Sequence, residues 1–193
     1  MFSFINEITV FAEKSTVYIK PWGMVIGVIW CIDILNWLFG SRLNILGIYP
    51  RKLLGLPGIL FSPFLHGSFA HLLLNSIPLF ILGLAILTQD GWVNFAVISL
   101  VIIVLGGLGV WLFARKALHI GASGLISGYF GYILMLAYQQ PGLITLLLAA
   151  LAIYDFGGIF SGIFSKKKQV SWEAHLFGLL SGIFCAYFNI HLK

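Results

Sequence analysis

The chain has 193 residues, 60% of them hydrophobic and only 9% charged, with a mean hydropathy of +1.03. A soluble domain is about 45–50% apolar and about 25% charged, so the composition excludes a soluble globular protein and leaves no room within these residues for a soluble domain beside a membrane one. The 11 Lys and Arg against 6 Asp and Glu give a formal charge of +5. The basic residues lie in short loops between apolar runs, which points to the anionic headgroups of a lipid bilayer as their partner and away from nucleic acid.

Residues 1–20 lack a basic stretch followed by an apolar core, so no cleavable signal peptide is expected there. They read as a short N-terminal segment on the membrane surface, with the membrane domain over 21–193. A spanning helix needs about 20 apolar residues. Six runs qualify: Trp22–Phe39, Ser68–Leu87, Val93–Phe113, the short Gly121–Tyr138, Leu143–Phe164 and Trp172–Ile190. Thr88-Gln89-Asp90-Gly91 and Gln139-Gln140-Pro141-Gly142 read as tight turns, and SKKKQV as a basic loop before the last run. The connector from Gly40 to Gly67 is long, apolar and broken by Pro50, Pro57 and Pro63. Irregular backbone at membrane depth must be buried in protein or line a wet cavity. It is expected either to fold into the membrane face or to lie on the surface. Cys31 and Cys185 fall within apolar runs and read as packing residues, with no metal-site spacing.

Polar side chains inside apolar runs are expensive and mark function by default. His66, His71 and Asn75 form the first cluster, with Ser68 as a helix N-cap. His71 and Asn75 stand i, i+4 on one helix face. They could donate to a single point as an oxyanion hole requires, hydrogen-bond between helices, or hold a metal. The metal reading lacks a nearby carboxylate or an H-E-x-x-H pattern. Gly121-Ala122-Ser123-Gly124 comes next, followed at helical spacing by Gly128 and Gly131. Small residues at that spacing form a close-packing seam. Ala174-His175, followed by Gly178 and Gly182, heads a second seam. If the seams pack together, Ser123 meets His175, and a serine beside a histidine base is an activated nucleophile. Asp33 and Asp155 are intramembrane acids. A triad would need a carboxylate to orient His175, but Glu173 is on the wrong side of its helix and Asp155 too deep, so a dyad is expected. The acids alternatively suggest a small transporter, against which six runs show no internal repeat.

At these residues the chain resembles the rhomboid family of intramembrane serine proteases. Three separated motifs carry the resemblance between Gly55 and Gly182: H-x(4)-H-x(3)-N at His66, His71 and Asn75; G-x-S-G at Gly121, Ser123 and Gly124; and A-H-x-x-G-x-x-x-G at Ala174, His175, Gly178 and Gly182. The resemblance implies an all-α six-transmembrane-helix bundle with a long membrane-associated first loop. It implies a Ser123 nucleophile, a His175 general base and an oxyanion hole from His71, Asn75 and the Ser123 N–H. His66, Gly121, Gly124, Gly178 and Gly182 would support them. It further implies transmembrane protein substrates, no cofactor or metal, and a multi-pass cell-membrane location, the inner membrane in a Gram-negative cell. A proteolytically inactive relative that binds transmembrane helices is the alternative within the family. Many members carry an aromatic residue four positions after the serine, where this chain has Ser127. Arg42, Arg51, Lys52, Arg115, Lys116 and Lys166–Lys168 sit on the Ser123 side, against Lys14, Lys20 and Lys193 on the other. The positive-inside rule alone would therefore turn the site toward the cytoplasm, whereas the resemblance implies an outward-facing site.

Overall fold

A computed structural model describes the backbone of residues 2–163 and 171–190, and the side chains of 5–154 and 171–190. The basic loop SKKKQV, the Asp155 side chain, Phe164 and Lys193 lie outside the described residues. The fold is helical, without a strand among the described residues. In a chain this apolar, helices satisfy nearly every backbone N–H and C=O within the segment itself.

Helix α1 covers Phe2–Leu38 and passes through Pro21. It runs about 56 Å, so residues before 20 continue the same rod. Ser15 meets Thr88 at 3.3 Å and the Tyr18 ring lies 6.2 Å from that of Trp92. The connector then forms 3-10 turns at Arg42–Leu46, Leu53–Gly55 and Ser62–Phe64 around the short helix α2, Gly58–Phe61. Its prolines set this rhythm: Pro57 caps α2 and Pro63 lies in the last turn. A Cβ on Gly55 or Gly58 would strike the backbone of Tyr49 or Gly47, so the connector folds tightly on itself.

Helix α3, Phe69–Phe113, contains both the second and third expected runs. Its helical pattern breaks at Gly91, with φ 72° and ψ 175°. Two arms meet there and fold back. Asn75 and Gly106 both border clefts lined by Ser123, whereas a continuous helix would hold them about 47 Å apart. Trp22 confirms the reversal: its indole N–H donates to the Phe80 carbonyl and its ring lies 5.0 Å from that of Phe95. The expected four-residue turn is thus concentrated at one glycine, and Thr88–Asp90 stay helical. Left-handed φ at Gly91 costs little because there is no Cβ.

Helices α4 (Ser123–Gln139), α5 (Leu143–Ile163) and α6 (Trp172–Tyr187) complete the fold. α4 and α6 pack along the two glycine seams. A Cβ on Gly178 would fall on the Gly124 carbonyl, and one on Gly182 on the Gly128 carbonyl. Gly106 of α3 approaches the same seam, where its Cβ would lie 3.4 Å from the Gly178 Cα. Cys31 and Cys185 are free thiols, the first exposed and the second in the core.

Gly182→Ala should therefore overpack the seam and lower stability in detergent by about 1–3 kcal/mol. Gly27, in α1, has nothing within 4 Å of its Cβ position, so Gly27→Ala should stay within about 0.5 kcal/mol of the parent. Thermal unfolding of both variants checks the contrast.

Candidate active site

Ser123 is the first residue of α4. A helix leaves its first N–H groups without intrahelical acceptors, so the Ser123 N–H and hydroxyl stand together at an open end. The peptide leading to it is tightly fixed. Gly121 adopts φ 119°, and a Cβ there would lie 2.7 Å from His71 Nε2 and 3.8 Å from Asn75 Nδ2. Only glycine combines that backbone with that approach. The Gly121 N–H donates to the Ser62 carbonyl at 2.9 Å, and the Ala122 N–H donates to His66 Nε2 at 3.3 Å.

His71 and Asn75 sit in the first turns of α3. Ser68 is the N-cap, its hydroxyl accepting the His71 N–H at 3.2 Å, as its position in the sequence suggested. His71 rests edge-on against the His66 ring, with centroids 5.1 Å apart. Asn75 is buried, and its amide nitrogen has no hydrogen-bond partner.

His175 lies in the first turn of α6, which Ser171 caps by accepting the Ala174 N–H at 3.3 Å. His175 is buried and its Nδ1 has no partner. Ser123, His175, His71 and Asn75 all line one cavity of about 740 Å³. Ser123 and His175 both line it and share no direct hydrogen bond. Such pairs are commonly loose before substrate binds and tighten in the complex. At the position where an aromatic residue was in question, the buried Ser127 hydroxyl donates to the Ser123 carbonyl at 2.9 Å.

Among the described residues, Glu173 and Asp33 make their contacts with groups other than His175. Glu173 accepts the Arg115 N–H at 3.3 Å and lies 3.7 Å from the Arg115 Nε. Asp33 pairs with His66 at 2.8 Å. Both His66 ring nitrogens are occupied by protein partners, so the metal reading has no support at this residue.

Sequence reasoning missed a serine–histidine hydrogen bond between other residues that line the cavity. His119 Nε2–H donates to the Arg115 carbonyl at 3.1 Å, which leaves Nδ1 to accept the Ser171 hydroxyl proton at 2.6 Å. His119 stands four residues before Ser123, and Ser171 four before His175. That matched offset is the signal that could have found the clasp. His119 also pairs its backbone with Ile48, N–H to O=C at 3.0 Å in both directions, which ties the connector to the loop before Ser123.

Burial holds the His119 ring below the usual histidine pKa, favouring its neutral form. A histidine depressed by folding contributes stability that is complete above its unfolded pKa, about 6.5, and lost as pH falls through the lower folded value. The clasp should weaken in that window, because protonation removes the lone pair that accepts the Ser171 proton. His119→Asn should reduce the drop in unfolding temperature between neutral and mildly acidic pH, measured in detergent. An unchanged slope would mean that His119 stays neutral or that the clasp carries no stability.

A Rhomboid domain matches residues 55–191. An uncharacterized protein of Mycobacterium tuberculosis is 34% identical over 171 residues, covering 84% of this chain and 71% of its own. A Bacillus subtilis protein named "Putative rhomboid protease YdcA" is 29% identical over 138 residues, 67% of this chain and 65% of that one. An Arabidopsis thaliana protein named RHOMBOID-like protein 6, mitochondrial, is 28% identical over 129 residues, 67% of this chain and 42% of that one. With its apolar helices and a domain match over most of its length, the chain is a membrane protein of the rhomboid family.

Proposed function

We propose that the protein is an intramembrane serine endopeptidase acting on transmembrane protein substrates through a Ser123–His175 dyad. The observation that carries this reading is the shared cavity. Ser123, His175, His71 and Asn75 converge on it from three helix N-termini, and two of their buried polar atoms, Asn75 Nδ2 and His175 Nδ1, have no partner. An unpartnered buried donor costs about 1–3 kcal/mol, a cost understandable where a ligand atom completes it.

In this reading the Ser123 hydroxyl attacks a substrate carbonyl carbon while His175 takes its proton. The tetrahedral oxyanion receives hydrogen bonds from the Ser123 N–H, His71 and Asn75. The C–N bond breaks as His175 returns the proton to the leaving amine, and an acyl-enzyme remains. Water, deprotonated by His175, then releases the acid and regenerates Ser123. The substrate helix must unwind locally, since an intact helix keeps its carbonyls bonded. Small or helix-breaking residues near the cut favour this. The dyad itself calls for no metal or organic cofactor.

The bundle in this reading crosses the cell membrane six times, through α1, the two arms of α3, α4, α5 and α6. The first turns of α1, from Phe2, extend it to the membrane surface. The first loop lies partly in the outer face, and the dyad opens to water at that side.

Fluorophosphonate labelling of the purified protein in detergent tests the reading. The parent should label, and Ser123→Ala and His175→Ala should not. Asn75→Ala should retain the fold and lower kcat on a transmembrane substrate by about 10²–10³-fold. A folded parent that neither labels nor cleaves would instead indicate a helix-binding role.

A further inference from the structure

Asp33 lies in α1, outside the region matched by the Rhomboid domain. It is fully buried, as is His66. Its Oδ1 accepts the His66 backbone N–H at 2.7 Å and its Oδ2 meets His66 Nδ1 at 2.8 Å. One turn further along α1, the Trp37 indole N–H donates to the His66 carbonyl at 3.0 Å. Three hydrogen bonds from one face of α1 thus hold a single residue of the connector. The fourth, from the Ala122 N–H to His66 Nε2, passes that constraint to the residue before Ser123.

The proton on the His66 ring has one consistent place. Nε2 faces an N–H donor and must present a lone pair, so a neutral ring carries its proton on Nδ1, where the Asp33 carboxylate accepts it. A proton on Nε2 would point at the Ala122 N–H and break that contact. The carboxylate thereby sets the tautomer, and the tautomer sets the Ala122 peptide. The Gly121 N–H is already committed to Ser62. With the Ala122 N–H committed to His66, the Ser123 N–H is the amide of this stretch left to meet an oxyanion. The edge contact between the His66 and His71 rings extends the same control to the side-chain half of the hole.

We propose that Asp33 is a positioning residue of the active site, which acts through the His66 tautomer to hold the Ala122 peptide and the oxyanion hole in register. The proposal rests on the protease reading above. Asp33→Asn is the informative variant. Its amide oxygen can still accept the His66 backbone N–H, but its NH₂ group cannot accept the Nδ1 proton, which drives the ring toward the wrong tautomer. A small misplacement of reacting groups can cost about 10²-fold in rate. Asp33→Asn should therefore lower kcat on a transmembrane substrate by about that factor, with KM unchanged, at a temperature where parent and variant are both fully folded. In a His66→Ala background the same substitution should have little further effect, because the link it acts through is gone.

A second measurement does not depend on the variant folding. Nitrogen-15 NMR of the imidazoles in micelles should find His66 of the parent protonated at Nδ1 and bare at Nε2. The opposite tautomer in the parent would overturn the proposal. So would a folded Asp33→Asn protein with unchanged kcat, or an equal loss in the His66→Ala background. These outcomes differ from failure of the protease reading, in which the parent itself is inert toward both fluorophosphonate and substrate.

Discussion

Carbonyl oxygens at the α4–α6 seam lie where side chains would ordinarily be. Gly124, Gly128, Gly178 and Gly182 remove the Cβ atoms that would hold the two backbones apart. In an apolar surrounding there is little hydrophobic force between helices, so close van der Waals packing of this kind carries the association. The seam also fixes the relative height of the two helices. Ser123 and His175 are the residues at its open end, so their meeting in one cavity is a consequence of the glycine register. α3 joins the seam through Gly106, and its other arm contributes His71 and Asn75 to the same cavity.

The loops at that end would be fragile if they depended on helix packing alone. Irregular backbone in an apolar setting needs partners for its polar groups, and the connector and the loop before Ser123 supply one another: Ile48 with His119, Ser62 with Gly121, His66 with Ala122. The His119–Ser171 clasp adds the start of α6. The three chain segments that carry the candidate chemistry are thus joined directly, one turn or less from Ser123 and His175.

Much of this was legible in the sequence because it is local. The seams appear as glycines at helical spacing, Ser68 as a cap before an apolar run, and Ser123 and His175 as polar residues at the heads of seams. What escaped reading depends on contacts far apart in the chain. Asp33 looked like a lone intramembrane acid, open to a proton-path or transporter reading, because its partner His66 is 33 residues away. His119 drew no notice in the loop before Ser123. The four residues Thr88–Gly91 read as a turn, but only Gly91 leaves the helical conformation, through dihedrals that composition cannot express. Glu173 reads from its helix position alone as turned away from His175; its Oε1 contact with Arg115 depends on a residue 58 positions away.

The meeting of three helix beginnings at one cavity also has an electrostatic meaning. α3, α4 and α6 each start beside it, at Phe69, Ser123 and Trp172. Every helix carries the equivalent of about half a positive charge at its N-terminus. The cavity therefore sits in a converging positive field made by backbone dipoles that are fixed in place by the helices. The same field favours a small anion over a cation in this cavity, whatever else occupies it.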